Sequence, residues 1–325
     1  MIPKISVIVL TYNSSDTLRE ALDSVLRQKC GYDFEIVAGD DGSTDGTQSI
    51  LQEYATRHPE HIRLLLSEHN RGVQANYFDC LEACRGEFIA DCAADDYWPG
   101  TERLQKLAEM LDHHPEASMV FSDWTYMHPD GRTEYARPVA PHDCGRGALT
   151  PHLLSHTGSP AVHLSSAIYR KNSLMNDYGL HRDDIYRCPD FGCEDLQVLV
   201  ALSEAAPAVY LPESTLIYRV GGNSITSARH AARAARFAFG TLRLRLLLAM
   251  RHALDSDPSF HRCAAVIYHF ALANAMAGND RTLIKEIAGL WPQLRVRPIK
   301  TRIVNALAHA PALATAIYRI KTRES

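Results

Sequence analysis

With 325 residues, 46% of them hydrophobic, and a formal charge of −4, the chain can bury one large core or two unequal ones, and its composition is that of an ordinary soluble protein. No run reaches eighteen apolar residues, and Met1-Ile2-Pro3-Lys4 leads straight into a strand-like segment, so neither a spanning helix nor a signal peptide is expected and the chain is expected to stay in the cytoplasm. Eight cysteines without a Cys-x-x-Cys pair point to a reducing compartment, not a disulfide framework. The charge is unevenly spread: residues 1–227 hold 18 Lys and Arg against 33 Asp and Glu, a balance of −15, and residues 228–325 hold 16 against 5, a balance of +11. An acidic part suits a metal-dependent site, and a basic part suits a phosphate-rich surface.

In chain order, Ile5-Ser6-Val7-Ile8-Val9-Leu10 is a nearly continuous β-branched run, as expected of a parallel strand covered on both faces. A helix follows over Asp16 to Gln28, with Leu18, Leu22, Val25 and Leu26 at helical spacing. Phe34-Glu35-Ile36-Val37 starts a second unit, which passes through Gly39-Asp40-Asp41-Gly42-Ser43 into a helix from Thr44 to His58. Ile62 to Leu66 is a third strand, and after Asn70-Arg71-Gly72 a helix from Val73 to Cys84 leads to a fourth, Gly86-Glu87-Phe88-Ile89-Ala90-Asp91. This alternation predicts a parallel, right-handed α/β sheet. Further on, the pattern predicts a helix over Arg103 to His113, strands at Ser118 to Asp123 and Val162 to Tyr169, and a helix over Glu194 to Glu204. Strand character returns at Ala208 to Pro212 and leads to Ile217 to Val220. The Pro-, Gly- and His-rich stretch from Arg137 to Pro160 fits no regular element. From Ala228 onward the pattern is helical, over Leu242 to Leu254, Cys263 to Met276, Thr282 to Leu290 and Ile303 to Ile320.

Ligands of open α/β sheets sit outside the carboxyl ends of the strands. Tyr12, Asp41 and the pair Asp95-Asp96 all fall at such ends, so three segments distant in sequence are expected on one edge. Two adjacent carboxylates repel each other unless a cation or hydroxyl donors hold them, and oxygen ligation suits Mg2+ or Mn2+. The run Asp41 to Gly46 imitates the start of a calcium loop, but Gln52 stands where the twelfth-position Glu would be required and a strand precedes it. No Gly-x-Gly-x-x-Gly follows the first strand and no phosphate-loop pattern is present, which disfavours a dehydrogenase and a P-loop enzyme. Glu194-Asp195 opens a helix, where carboxylates often serve only as caps.

Taken together and in order, Ser6-Val7-Ile8-Val9 with Thr11-Tyr12-Asn13, Asp40 to Asp45, Asn70-Arg71-Gly72, Gly86 to Ile89 before Asp95-Asp96, Glu194-Asp195 and Tyr218-Arg219 resemble the inverting family 2 glycosyltransferases of GT-A fold. Among these, the architecture is similar to spore-coat polysaccharide and bacterial O-antigen or capsule enzymes. The resemblance implies a Rossmann-like, mostly parallel sheet flanked by helices over residues 1–227, with a nucleotide-sugar half at 1–100 and an acceptor half at 101–227. Residues 228–325 form a basic α-helical appendix. It further implies that Thr11, Tyr12 and Asp41 contact the nucleoside, Asp95 the ribose or donor sugar, and Asp96 a Mn2+ or Mg2+ on the diphosphate. Asn13, Gly42 and Arg71 lie in the same matching loops and join the donor-binding set, while Asp195 is the implied catalytic base. Glu194, Tyr218, Arg219 and Asn223 are secondary candidates. Two positions depart from the pattern: Ala93-Ala94 where relatives often carry Glu-Gly, and Gly221 where many carry His, with Asn223 or Ser224 as substitutes.

The implied activity is metal-dependent transfer of a sugar from a UDP- or dTDP-linked donor to a hydroxyl of a surface or lipid-linked glycan. The rival reading is a non-catalytic nucleotide-sugar sensor or scaffold. For residues 228–325 the expected roles are peripheral contact with an anionic membrane, packing on the acidic part, or homo-oligomer formation. Nothing resembles a nucleic-acid reading motif.

Overall fold

The computed structural model describes residues 2–138, 144–156, 161–221 and 231–309. By internal contacts the chain divides into two compact units, one formed by the described residues of 1–153, 159–189 and 194–220, the other by those of 154–158, 190–193 and 221–325.

The first unit is built on an eight-stranded sheet. Its strands are β1 (Ile5–Thr11), β2 (Phe34–Asp40), β3 (Ile62–Leu66), β4 (Phe88–Asp91), β5 (Met119–Met127), β6 (Thr133–Ala136), β7 (Ala167–Arg170) and β8 (Ala208–Arg219). Their order is β3-β2-β1-β4-β7-β5-β6, with β8 paired to β5. The helices between them are α1 (Leu18–Leu26), α2 (Thr47–Arg57), α3 (Val73–Ala83), α4 (Arg103–His113), α5 (Thr150–Ser155), α6 (Lys171–His181) and α7 (Asp195–Ala205). Ile5, Val7, Ile8 and Val9 are fully buried, as a central strand covered on both faces requires. Each such side chain contributes roughly 1.5–3 kcal/mol of burial free energy.

The strands β1 to β4 are mutually parallel, as expected. The sheet is not parallel throughout, however, because β7 runs antiparallel between β4 and β5, and β6 is antiparallel to β5. Since β5 opposes β7 and β8 is parallel to β5, the C-terminal end of β8 points the same way as those of β1, β2 and β4. Where Val162 to Tyr169 was expected as a strand, the strand is Ala167–Arg170, preceded by a 3-10 turn at Leu164–Ser166. The expected break between Pro212 and Ile217 is absent, and β8 runs through it with an irregular register against β5. Gly86 lets the chain enter β4 at close quarters, since a Cβ there would stand 2.5 Å from the Ser6 amide nitrogen.

The second unit is helical: α8 (Ala231–Arg251), α9 (Pro258–Ala277), α10 (Arg281–Ala288) and α11 (Ile299–Ala308). Asp257 caps α9 by accepting the Ser259 amide at 2.5 Å with Pro258 in the first turn, and Asp280 caps α10 through the Leu283 amide at 3.0 Å. Ala264, Ala265, Ala271 and Ala275 are buried on α9, small enough for its neighbours to approach. The Tyr268 hydroxyl donates to Asn305 Oδ1 at 2.5 Å, tying α9 to α11. Residues 310–320 of the expected last helix lie outside the described residues.

Candidate active site

The carboxyl ends of β1 and β2 are joined by short loops that hold one another. Asn13, at φ +51°, accepts the Thr44 amide on Oδ1 at 2.8 Å, while its own amide donates to Ser43 Oγ at 2.8 Å. Asp41 is buried, with one carboxylate oxygen accepting the Arg71 amide at 2.8 Å and the other the Gly72 amide at 2.9 Å. Gly42 turns at φ +73°, and a Cβ there would stand 2.7 Å from His69 backbone, so no other residue fits without a shift. The Thr11 hydroxyl is spent within this framework, donating to Asp40 Oδ2 at 2.8 Å. Tyr12, by contrast, is 45% exposed on the same edge. Arg71 extends its guanidinium to Asp79 at 2.6 Å. Of the nucleoside candidates, then, Asp41, Asn13, Gly42 and Thr11 shape the loops, and Tyr12 offers a free surface.

Beyond β4 the chain turns through Asp95-Asp96. Tyr97 makes an isolated antiparallel bridge to Ile217 on β8, which seats the pair against the end of that strand. The Arg219 amide donates to Asp96 Oδ1 at 3.0 Å and its guanidinium to the Asp95 carbonyl at 2.8 Å, with a further ion pair to Glu20 of α1. Asp96 is buried to 1% exposure, and its Oδ2 has no hydrogen-bond partner among the described residues. Burial, followed by the neighbouring Asp95 charge, holds its carboxyl well above the usual carboxylate range. A buried, unpartnered carboxylate oxygen is costly, and a hard divalent cation is the ligand that best offsets the cost. Among the described residues no three His, Cys, Asp or Glu side chains converge as a metal cage. Asp96 therefore fits a cation that takes its remaining oxygens from a bound phosphate, as Mg2+ commonly does.

The Glu194-Asp195 pair opens α7, and Glu194 occupies the N-cap position without a side-chain cap hydrogen bond. Burial, then the charge of Asp195, pushes the Glu194 carboxyl up, and burial raises Asp195 while a backbone amide opposes it. Tyr218, next to Arg219, is raised by burial and then by the charges of Asp96, Asp95 and Asp195. The structure thus brings Asp95, Asp96, Asp195, Tyr218 and Arg219 into one electrostatic neighbourhood. Asn223 lies outside the described residues.

Two groups here escape the sequence reading. The His163 ring lies tilted against Tyr218, with centroids 4.5 Å apart, and edge-on to Trp124 at 4.7 Å, and burial lowers its pKa to about 3, so it is a neutral ring. The sequence placed it in the expected strand Val162 to Tyr169, where a histidine gave no signal of a role. Asp91, the last residue of β4, is buried beside the same acidic pair. A carboxylate interrupting an otherwise apolar strand was its only mark.

The family model for glycosyl transferase family 2 matches residues 6–175, from β1 through the Asp95-Asp96 turn into α6. The chain belongs to glycosyltransferase family 2. Over 333 aligned residues this family 2 glycosyltransferase is 28% identical to Rv1520 of Mycobacterium tuberculosis, an uncharacterized protein, covering 97% of this chain and 91% of that one. It is 34% identical over 131 residues to TuaG of Bacillus subtilis, a putative teichuronic acid biosynthesis glycosyltransferase, covering 40% of this chain and 50% of that one. Among solved structures, residues 1–349 of TarS from S. aureus in complex with UDP-GlcNAc superpose with a TM-score of 0.61 at 20% identity, covering 97% of this chain and 89% of that one. The mannosyltransferase PcManGT of Pyrobaculum calidifontis, in complex with GDP-Man and Mn2+, gives 0.57 at 20%, covering 98% and 88%. At such identity these two structures show a shared fold, the mostly parallel sheet flanked by helices that the GT-A resemblance implied.

Proposed function

We propose that this glycosyltransferase moves a sugar from a nucleotide-diphosphate donor, UDP- or dTDP-linked, to a hydroxyl of a surface-polysaccharide or lipid-linked glycan, with inversion at the anomeric carbon. The observation that carries this reading is the buried, unpartnered Asp96 Oδ2 at the strand-end edge beside the Glu194-Asp195 pair. Nucleotide sugars in the TarS and PcManGT structures and the polymer chemistry in the name of TuaG support it.

Tyr12 and the loops held by Asp41 and Asn13 receive the nucleoside, and Asp95 lies toward the ribose or donor sugar. Asp96 would hold Mn2+ or Mg2+, which when bound neutralises charge on the diphosphate. Asp195 accepts the proton of the acceptor hydroxyl as that oxygen forms its bond to the anomeric carbon and the bond to the diphosphate oxygen breaks. Arg219 fixes the Asp95-Asp96 turn from behind through its three contacts. The basic second unit is the part suited to an anionic membrane face. It exposes Val266 and Phe270 of α9 and Ile299 and Ile303 of α11, on helices that also carry Arg262, Lys300 and Arg302, a combination that favours interfacial binding.

The test is nucleotide release from a panel of UDP-, dTDP- and GDP-sugars, with and without Mn2+ and with mixed glycan acceptors. Turnover of at least one donor is expected. Asp195→Asn should lower it by roughly 10²–10⁴-fold while leaving donor affinity nearly unchanged. Full transfer in that variant would remove Asp195 from the role of base.

A further inference from the structure

Asp91 has no part in the reaction as derived above, yet it is 6% exposed and its Oδ2 lacks a hydrogen-bond partner among the described residues. Apolar side chains are the rule at such a strand position, and an uncompensated carboxylate there is strongly disfavoured. The groups around it come from four elements. From α3 come the Tyr77 hydroxyl and the thiols of Cys80 and Cys84. The Tyr169 hydroxyl comes from β7 and shares a hydrogen bond of 2.5 Å with that of Tyr77. Arg103 comes from α4, itself 3% exposed, with Nη1 unpartnered among the described residues. Glu194 and Asp195 come from the start of α7.

Three carboxyls, Asp91, Glu194 and Asp195, therefore act on one another in a space with little water, and the Arg103 guanidinium acts on Asp91. Such a group cannot carry three negative charges at neutral pH, because each added anion raises the cost of the next. The charge settles where donors exist. Asp195 sits at a helix N-terminus and has a backbone amide lowering its pKa, while Asp91 ends a strand and gains no such donor.

We propose that Asp91 is a positioning residue for the transfer: with the Tyr77 and Tyr169 hydroxyls it forms a neutral, proton-holding floor beside the Glu194-Asp195 pair, so that the negative charge stays on Asp195. This rests on the reading of Asp195 as the base. Burial, opposed by the Tyr77 hydroxyl and the Arg103 charge, raises the Asp91 carboxyl to about 8. Asp91 thus keeps its proton at neutral pH, and its ionisation above that places a second charge next to the base.

The experiment is a pH titration of aspartate side-chain carboxyl carbons by 13C NMR on the full chain without ligand, with Asp195 assigned from the Asp195→Asn variant. The wild type should show a carboxyl with a midpoint near 8 that vanishes in Asp91→Asn, while the Asp195 midpoint stays in place. In turnover, the inflection near that pH should vanish from the rate profile of the same variant. A fall of about one pH unit or more in the Asp195 midpoint of Asp91→Asn would mean that Asp91 is already charged when the base ionises, and would overturn the proposal. So would an Asp91 midpoint in the ordinary carboxylate range. If Asp91→Asn does not fold, Tyr77→Phe keeps the carboxyl and should move its midpoint upward; an unmoved midpoint overturns the proposal as well. None of these titrations needs a substrate, so their failure is distinct from that of the Asp195 assignment, which falls if Asp195→Asn retains transfer.

Discussion

Asp96 shows how a single unpartnered atom can carry a functional reading. Asp96→Asn keeps the shape and the Oδ1 contact with the Arg219 amide but removes the anion, so UDP affinity measured by calorimetry should drop only when Mn2+ is present. Equal affinities for wild type and variant in both conditions would sink the cation assignment. Asp91 supplies a second prediction, with a definite sign. Its folded pKa is about 8 against an ordinary 3.8, so between those values the native state holds a proton that the unfolded chain has released. Stability therefore falls as pH rises through this window and levels off above it. Asp91→Asn should flatten that decline, by an amount on the order of a few kcal/mol at pH 8, read from urea midpoints at pH 5 and pH 8. Identical pH slopes for the two proteins would contradict it. Neither atom-level property was legible in the sequence: Asp96 was singled out as half of a doublet, but which oxygen lacks a partner depends on Arg219, 123 residues away.

The elements most legible in the sequence were those whose burial is most complete. Along β1 four of seven residues are buried apolar side chains, and the run of apolar letters shows it. By contrast α6 went unread, because only Leu174 and Tyr178 among its eleven residues are buried, too few to leave a helical period. The direction of β7 was also hidden, since the orientation of a strand is fixed by its partners Ile89 and Val120 and not by its own four residues. Close approach between elements is likewise a property of pairs. Gly86→Ala would force a methyl group to within 2.7 Å of the Ile5 carbonyl carbon, and backbone cannot swing aside as a side chain can. The expected loss is about 1–3 kcal/mol, measurable as a lower urea midpoint. A neutral result would mean that β1 and β4 can separate slightly at no cost.

At the level of the whole chain, the sequence marked a change of character near residue 227 through its charge balance and the switch to a helical pattern. Within the helical unit part of that charge is already paired: Arg236 with Asp280, Arg243 with Asp190 and Arg295 with Asp255. No described helix is long and apolar enough to cross a membrane. The full chain should pellet with anionic vesicles at low salt, less so at high salt, and not with neutral ones, each engaged basic residue contributing about 1 kcal/mol. Negligible pelleting on both vesicle types would leave packing or assembly as the role of the basic helices.

The laced loops at the carboxyl ends of β1 and β2 bear on the thermodynamics of donor capture. Asn13 is tied to Ser43 and Thr44, and Asp41 to Arg71 and Gly72, so three connections that would otherwise fluctuate independently are ordered when the chain folds. A ligand meeting such an edge has little backbone left to immobilise, and the entropic penalty of association is correspondingly small. Cutting one lace, as in Asn13→Ala, would then weaken the nucleoside chiefly by making association entropically less favourable, with the enthalpy of the contacts themselves largely retained.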